Sequence, residues 1–237
     1  PDSTGEFTEA TYVSLLKLVS YLCEKYKVKY IKLQNSIWKE KEEVFAIIEE
    51  KAKSLSSPCI PVSKDDVDLK FFGDKYIDFS YNSRYYDYVG LRVNTKAVYQ
   101  TLNASLAVCA ALELWRDEVT PYLAEAIASM HWEGRMEEVL PGVFFDGAHN
   151  EDGIGAFLTS VEHDGCKGVR SLLFSVVQDK ESRKMADMIT GSGLFAKIYT
   201  APIASDRSVS KEDLEELFGT GSQVYYFDTP EQALGGM

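Results

Sequence analysis

Cysteine and histidine are scarce in this sequence, with four cysteines and three histidines among 237 residues. No two cysteines form a C-x-x-C pair, and no cysteine has a histidine at a spacing typical of metal ligands. The thiols, which we expect to be free and mostly buried, belong to Cys23, Cys59, Cys109 and Cys166. We therefore predict no metal-binding residues in the chain.

Long apolar runs and an excess of positive charge are also missing. The longest apolar stretch, residues 104–114, is too short to span a bilayer, and the start of the chain has no signal-peptide pattern. Acidic residues outnumber basic ones by 37 to 25, which gives a net charge of −12. Because nucleic-acid binding needs clustered Lys and Arg, we expect no nucleic-acid partner, although a local basic pocket for a nucleotide is not excluded. We expect a cytoplasmic protein without a membrane partner.

The first half of the chain mixes helical and strand-like patterns. Apolar residues at helical spacing predict helices over residues 8–26, about 40–55, 100–115 and 121–130. A short basic connection is predicted over residues 27–34. Residues 71–93 have a strand-like pattern, with a plausible hairpin turn at Asn82-Ser83.

After Met136 the pattern changes to short strands alternating with helices of about ten residues. Strands are predicted over residues 143–145, 171–177, 196–200 and 224–227. Helices are predicted over residues 153–161, 182–189 and 211–218. This alternation predicts the α/β class, with a mostly parallel sheet covered by helices on both faces.

The most specific motif is Asp-Gly-Ala-His-Asn at residues 146–150, which follows an apolar strand and precedes a helix. In open α/β sheets, ligands bind at the carboxyl ends of the strands. Asp146 can there accept hydrogen bonds from a ribose or position a cation, and the small residues after it let the backbone approach a ligand. The alternative is that Asp146 caps the following helix and His149 is a surface residue.

Two further motifs accompany it, Trp-Glu-Gly-Arg at residues 132–135 and Tyr-Gln-Thr-Leu-Asn-Ala at residues 99–104. Together the three motifs resemble those of folylpolyglutamate synthases and dihydrofolate synthases of the Mur ligase superfamily. The resemblance runs from about Ser36 to the end of the chain. This sequence departs from the family pattern at Tyr99, where the family has His, and at Glu133 and Glu151, where it has Pro.

The resemblance implies an ATP-dependent ligase of folate biosynthesis and one-carbon metabolism. Such an enzyme uses ATP and Mg²⁺ to activate the carboxylate of dihydropteroate or a folate, and L-glutamate attacks the resulting acyl phosphate. It also implies the domain organisation, with part of the central ligase domain over residues 36–128 and a Rossmann-like C-terminal ligase domain over residues 129–237.

Residue by residue, the resemblance implies that Asn103, Arg135 and Asp146 contact ATP, and that His149 lines the same cleft as a candidate catalytic residue. The residue types suit these roles, because a guanidinium matches a pair of phosphate oxygens and an amide matches an adenine edge. Two alternatives are open. The Arg135 side chain forms a surface ion pair with Glu137 or Glu138, or Asn103 is a helix N-cap.

The chain has no phosphate-binding loop of the G-x-x-G-K-[ST] type, and the magnesium-binding residues that the family has near that loop are missing too. We therefore expect an incomplete enzyme, inactive alone, for which a separate chain supplies the first half. The alternative is a non-catalytic fragment with weak or no nucleotide binding.

Residues 1–35 do not resemble these ligases. Their sequence resembles a helical segment of type 2 N-acetylmuramoyl-L-alanine amidases, which predicts a fusion joined near residues 30–36. The sequence does not favour a peptidoglycan amidase as an alternative function, because no histidine precedes His131 to bind the zinc of those enzymes. The alternative is an unrelated amphipathic helix.

Overall fold

A computed structural model describes residues 30–33, 42–83, 86–115, 118–177, 182–205, 207–219, 221 and 223–237. The described residues divide into two compact units, an N-terminal unit that ends at Asp146 and a C-terminal unit from Gly147 to Met237. The predicted helix over residues 8–26, and with it the amidase-like pattern, lies outside the described residues.

The N-terminal unit contains two small sheets and one three-stranded sheet. Its strands are β1 (Tyr30–Leu33), β2 (Cys59–Val62), β3 (Val67–Phe72), β4 (Ile77–Asn82), β5 (Asp87–Val93), β6 (Glu137–Leu140) and β7 (Val143–Phe145). Its helices are α1 (Glu42–Ser54), a 3₁₀ turn (Lys64–Asp66), α2 (Tyr99–Trp115) and α3 (Thr120–Ser129). Strands β3, β4 and β5 form an antiparallel meander, β1 pairs with β2 in parallel, and β6 with β7 in antiparallel.

The core of the N-terminal unit lies between the meander and α2. Phe79 of β4 and Leu91 of β5 are completely buried, and they belong to the same cluster as Ala104, Val108 and Leu112 of α2. The α2 residues recur every four positions and so form one apolar face of the helix. This packing holds the middle of α2 against the meander.

The prediction of a connection over residues 27–34 is wrong in part, because Tyr30–Leu33 form strand β1 alongside β2. The physical reason lies in the residue types, since Tyr and Ile are strong strand formers. The three lysines of residues 27–34 give the segment a basic character that disguises this preference.

The C-terminal unit has the alternating strands and helices that the sequence predicts. Its elements are α4 (Glu151–His163), β8 (Ser171–Phe174), α5 (Ser182–Gly191), β9 (Lys197–Thr200), α6 (Lys211–Phe218), β10 (Val224–Tyr226) and α7 (Pro230–Gly236). The strands form a parallel sheet in the order β10-β9-β8. The α/β class and the parallel sheet are therefore confirmed.

Helices cover both faces of this parallel sheet. Tyr199 packs against Ala233 of α7, whereas Phe174 makes an edge-to-face contact with Phe218 of α6. Phe174 is paired with Thr200, the residue next to Tyr199, and neighbouring strand residues point to opposite faces. Helices α6 and α7 therefore lie on opposite faces.

The limits of the two ligase domains, residues 36–128 and 129–237, stay a prediction. The compact units divide later, between Asp146 and Gly147, so the β6–β7 hairpin lies in the N-terminal unit.

No helix within the described segments is long and apolar enough to cross a membrane.

Candidate functional site

Three motif segments meet at the carboxylate of Asp146. The Tyr99 hydroxyl donates a hydrogen bond to Asp146 Oδ2 over 2.7 Å, and the Met136 backbone N–H donates to the same oxygen over 3.0 Å. Tyr99 is the first residue of α2, Met136 follows the Trp-Glu-Gly-Arg turn, and Asp146 follows β7. One acidic side chain thus joins all three motifs within the N-terminal unit.

The Tyr99 hydroxyl is in a setting that keeps it protonated. Burial raises the pKa of Tyr99 well above its ordinary value of 10.0, and the hydrogen bond to Asp146 and the negative charge of Asp146 raise it further. The positive charge of Arg135 acts in the opposite direction but does not reverse the shift. At neutral pH Tyr99 is therefore a hydrogen-bond donor, and Asp146 accepts.

The turn that carries Arg135 has an unusual backbone, which explains its glycine. Gly134 has a φ of +64°, and its N–H donates to Glu137 Oε2 over 2.8 Å. A Cβ at this position would come within 3.3 Å of the Phe145 ring. The Arg135 carbonyl accepts a hydrogen bond from Thr95 Oγ1 over 3.2 Å, which ties the turn to the segment before α2.

The guanidinium of Arg135 is exposed, and its Nη1 donates to the neighbouring Gly134 carbonyl over 3.3 Å. Among the described residues it forms no ion pair. Glu138 pairs with Lys75 over 2.5 Å, and the Glu137 carboxylate lies 3.7 Å from the His131 ring. The alternative in which Arg135 pairs with Glu137 or Glu138 is therefore wrong.

A cleft of about 160 Å³ lies beside Arg135 in the N-terminal unit. The cleft is lined by Asp74, Lys75, Asn94, Thr95, Lys96, His131, Trp132, Arg135, Met136, Glu137, Glu138 and Phe144. The Lys96 ammonium lies 4.7 Å from the centre of the Phe144 ring, within cation–π range. The motifs did not predict Lys75, Lys96 or His131 in this cleft, because single basic residues carry no spacing signal.

Asn103 is the fifth residue of α2, which begins at Tyr99. The alternative that Asn103 is an N-cap is therefore wrong. Its side chain is exposed, and its Nδ2 donates to Oε1 of the buried Gln100 over 2.6 Å. Because residues four apart lie on one helix face, Asn103 and Tyr99 project from the same side of α2.

The helix after the Asp-Gly-Ala-His-Asn motif is capped by Asn150, whose Oδ1 accepts from the Gly153 N–H over 2.7 Å. Asp146 does not serve as the cap, so that half of the alternative is wrong, whereas the exposed position of His149 agrees with the other half. His149 is exposed and its Nδ1 lies 2.8 Å from the Gly147 carbonyl oxygen. His149 belongs to the C-terminal unit and Asp146 to the N-terminal unit. The catalytic role of His149 stays a prediction.

Comparison with known proteins identifies relatives of this chain. No protein-family model matches it. A folylpolyglutamate synthase from Lacticaseibacillus casei is 27% identical over 111 residues, and a dihydrofolate synthase/folylpolyglutamate synthase from Bacillus subtilis is 30% identical over 113 residues. These alignments cover 44% and 45% of this chain. The chain is similar to folylpolyglutamate and dihydrofolate synthases, as its motifs predict.

Solved structures of this family share the fold. A Mycobacterium tuberculosis folylpolyglutamate synthase complexed with ADP matches with a TM-score of 0.71 and 17% identity. An E. coli FolC structure in complex with DHPP and ADP matches with a TM-score of 0.63 and 21% identity. Each match covers 81% of this chain and 44% of that chain.

The chain covers only part of these folate ligases. It spans 25% and 26% of the length of the two curated relatives. The relatives and structures named above do not support the interpretation of residues 1–35 as an amidase-like segment.

Proposed function

We propose that this chain carries the nucleotide-contacting part of an ATP-dependent ligase that joins L-glutamate to dihydropteroate or a folate. The observation that carries the proposal is the junction of three motifs at the Asp146 carboxylate. The curated relatives are named as folylpolyglutamate and dihydrofolate synthases, and both solved structures described above were obtained with ADP. Cytoplasmic location stays a prediction.

The donor set suits ATP. Arg135 offers an exposed guanidinium without an ion-pair partner among the described residues, which is the arrangement that a phosphate oxygen pair needs. Asn103 offers an exposed amide held in place by Gln100, with both a donor and an acceptor for an adenine edge. Asp146 is an acceptor for ribose hydroxyls. These residues bind and orient the nucleotide, which supplies the phosphoryl group that activates the carboxylate.

The described residues offer donors for ATP but no comparable set of ligands for magnesium. Across the segments that the structure describes, no three His, Cys, Asp or Glu side chains cluster so as to hold a metal ion. We assign no residue of this chain to the Mg²⁺ of such a ligase. We propose that residues other than these 237 hold the metal and the β- and γ-phosphates.

The test is a nucleotide titration of the purified chain followed by NMR chemical shifts, which detect weak binding. We expect ATP to bind with a dissociation constant on the order of millimolar, or about −4 kcal/mol. Arg135→Ala should weaken binding about tenfold or more, because a charge-assisted contact to phosphate is lost. Arg183→Ala is the matched control, since Arg183 is also exposed and its Nη1 also contacts a backbone carbonyl, that of Leu217.

Two outcomes would contradict the proposal. Absence of any ATP-dependent shift up to about 20 mM nucleotide, well above the millimolar affinity that we expect, would favour the non-catalytic fragment without nucleotide binding. Equal affinities for the wild type, Arg135→Ala and Arg183→Ala would mean that ATP binds elsewhere on the chain.

A further inference from the structure

Tyr99 differs in kind from the residues assigned to ATP, because its hydroxyl is directed at another protein side chain. The hydroxyl lies 2.7 Å from Asp146 Oδ2, although the two residues are 47 positions apart in the sequence. The side chain is half-buried, so the hydrogen bond is sheltered from water. Hydrogen bonds to a carboxylate in such a setting are among the stronger ones in proteins.

The hydrogen bond acts together with a second one on the same oxygen. The Met136 N–H reaches Asp146 Oδ2 over 3.0 Å, and Met136 directly follows Arg135. Two donors from separate segments on one carboxylate oxygen restrict the rotation of the carboxylate about its terminal bond. The direction in which Asp146 presents its acceptors is thereby set by the start of α2 and by the Arg135 turn.

Tyr99 also connects this carboxylate to Asn103. Both residues project from one face of α2, one turn apart. A shift of the Tyr99–Asp146 contact would therefore move Asp146 relative to the helix that carries Asn103. A ligand that contacts both Asn103 and Asp146 requires their spacing to stay constant.

We propose that Tyr99 is a positioning residue, whose hydroxyl orients the Asp146 carboxylate toward the ribose of the bound nucleotide. This inference rests on the proposed nucleotide site. It assigns to Tyr99 a role in ribose recognition without direct contact to the nucleotide. Removing the hydroxyl should therefore weaken binding only for nucleotides that have ribose hydroxyls for Asp146 to accept from.

The experiment compares ATP with 2′,3′-dideoxy-ATP by NMR titration of the 237-residue chain and of Tyr99→Phe. We expect Tyr99→Phe to weaken ATP binding about fivefold while it leaves dideoxy-ATP binding unchanged. Tyr88→Phe is the matched control, because the Tyr88 hydroxyl also donates one hydrogen bond, to the Thr120 carbonyl over 2.7 Å. The control should bind both nucleotides as the wild type does.

A second variant guards against loss of structure. Asp146→Asn should lower ATP affinity and should abolish the additional effect of Tyr99→Phe in the double variant, because the two residues act through one contact. Equal weakening of ATP and dideoxy-ATP binding in Tyr99→Phe would overturn the inference and indicate a general structural role. A third outcome is that the wild-type chain binds ATP, Arg135→Ala weakens this binding, and Tyr99→Phe leaves the affinities for both nucleotides unchanged. In that case the inference about Tyr99 fails and the proposed function stands. If the wild type binds no ATP, both fail.

Discussion

At the scale of single residues, the best-defined ion pair in the described structure joins Arg92 and Asp78 across β4 and β5. Arg92 Nε lies 2.6 Å from Asp78 Oδ1, Arg92 Nη2 lies 2.8 Å from Oδ2, and the guanidinium lies 3.8 Å from the centre of the Tyr76 ring. The hydrogen bond from Arg92 lowers the pKa of Asp78 below its ordinary value of 3.8.

We predict that this pair stabilises the protein at neutral pH but not in strong acid. Because the pKa of Asp78 is lower in the folded state, its stabilising effect is present above about pH 4 and is lost as the pH falls through the lowered value. Both side chains are partly exposed, so the effect should be small, about 0.2–1 kcal/mol. Urea denaturation should show that Asp78→Asn lowers the free energy of unfolding by this amount at pH 6 and by a smaller amount at pH 3.

The control for this prediction is Glu125→Gln on the exposed surface of α3. It should change the free energy of unfolding by less than about 0.5 kcal/mol at both pH values. If Asp78→Asn lowers the free energy of unfolding as much at pH 3 as at pH 6, the charge of the carboxylate is not the cause of the stabilisation.

Residue types at the candidate site were predictable, whereas their mutual contacts were not. The family resemblance carried by the motifs implied Asn103, Arg135 and Asp146 as candidates. The Tyr99–Asp146 hydrogen bond joins residues 47 positions apart, and no local pattern encodes such a distance. The resemblance marked Tyr99 only as a departure from the family pattern, whereas in the structure its hydroxyl donates a hydrogen bond to Asp146.

At the scale of secondary-structure elements, local signals were sufficient where an element buries one clear face. Helix α2 and strands β4 and β5 were predicted because their apolar residues follow the period of a helix or of a strand. Strand β6 was not predicted, because Glu137 and Glu138 begin it and its pairing with β7 depends on a turn at Gly142, which has a φ of +77°. Such a strand is defined by its partner and not by its own composition.

The contribution of the Asn150 cap to the stability of α4, the helix that follows the Asp-Gly-Ala-His-Asn motif, can be tested by mutation. Asn150 Oδ1 accepts from the Gly153 N–H, so Asn150→Ala leaves one N–H of the first turn without its partner. We expect a loss of about 1 kcal/mol in the free energy of unfolding, measured by urea denaturation. Glu162→Ala, on the exposed side of the same helix, is the control and should cost less than about 0.5 kcal/mol. Equal losses in the two variants would mean that the cap contributes nothing.

At the scale of the whole molecule, the two compact units differ in how well the sequence predicts them. The C-terminal unit follows the alternation of strands and helices, and that pattern alone predicts that its strands are parallel. The N-terminal unit combines three separate sheets. The hairpin turn predicted at Asn82-Ser83 accounts for the pairing of β4 with β5, whereas no sequence pattern predicted that β1 pairs with β2. The predicted division into domains between residues 128 and 129 came from the family resemblance, while the compact units divide after Asp146.

The catalytic capacity of the 237-residue chain is limited by what its sequence contains. Phosphoryl transfer requires the β- and γ-phosphates to be held in line with the attacking carboxylate while developing charge is neutralised. The sequence has no G-x-x-G-K-[ST] loop, whose backbone amides and lysine hold those phosphates. The exposed Arg135 guanidinium alone leaves the phosphates free to rotate. We therefore propose that the chain binds nucleotide without completing the ligation.

We predict that the purified chain, incubated with ATP, Mg²⁺, L-glutamate and either dihydropteroate or tetrahydrofolate, forms no glutamylated product detectable by mass spectrometry. A folylpolyglutamate synthase of full length serves as the positive control for the reagents. ATP binding in the NMR titration together with no product would support a nucleotide-contacting part that needs further residues for chemistry. Product that disappears in Arg135→Ala would contradict the prediction, because it would require a phosphate site within these 237 residues that the motifs do not reveal.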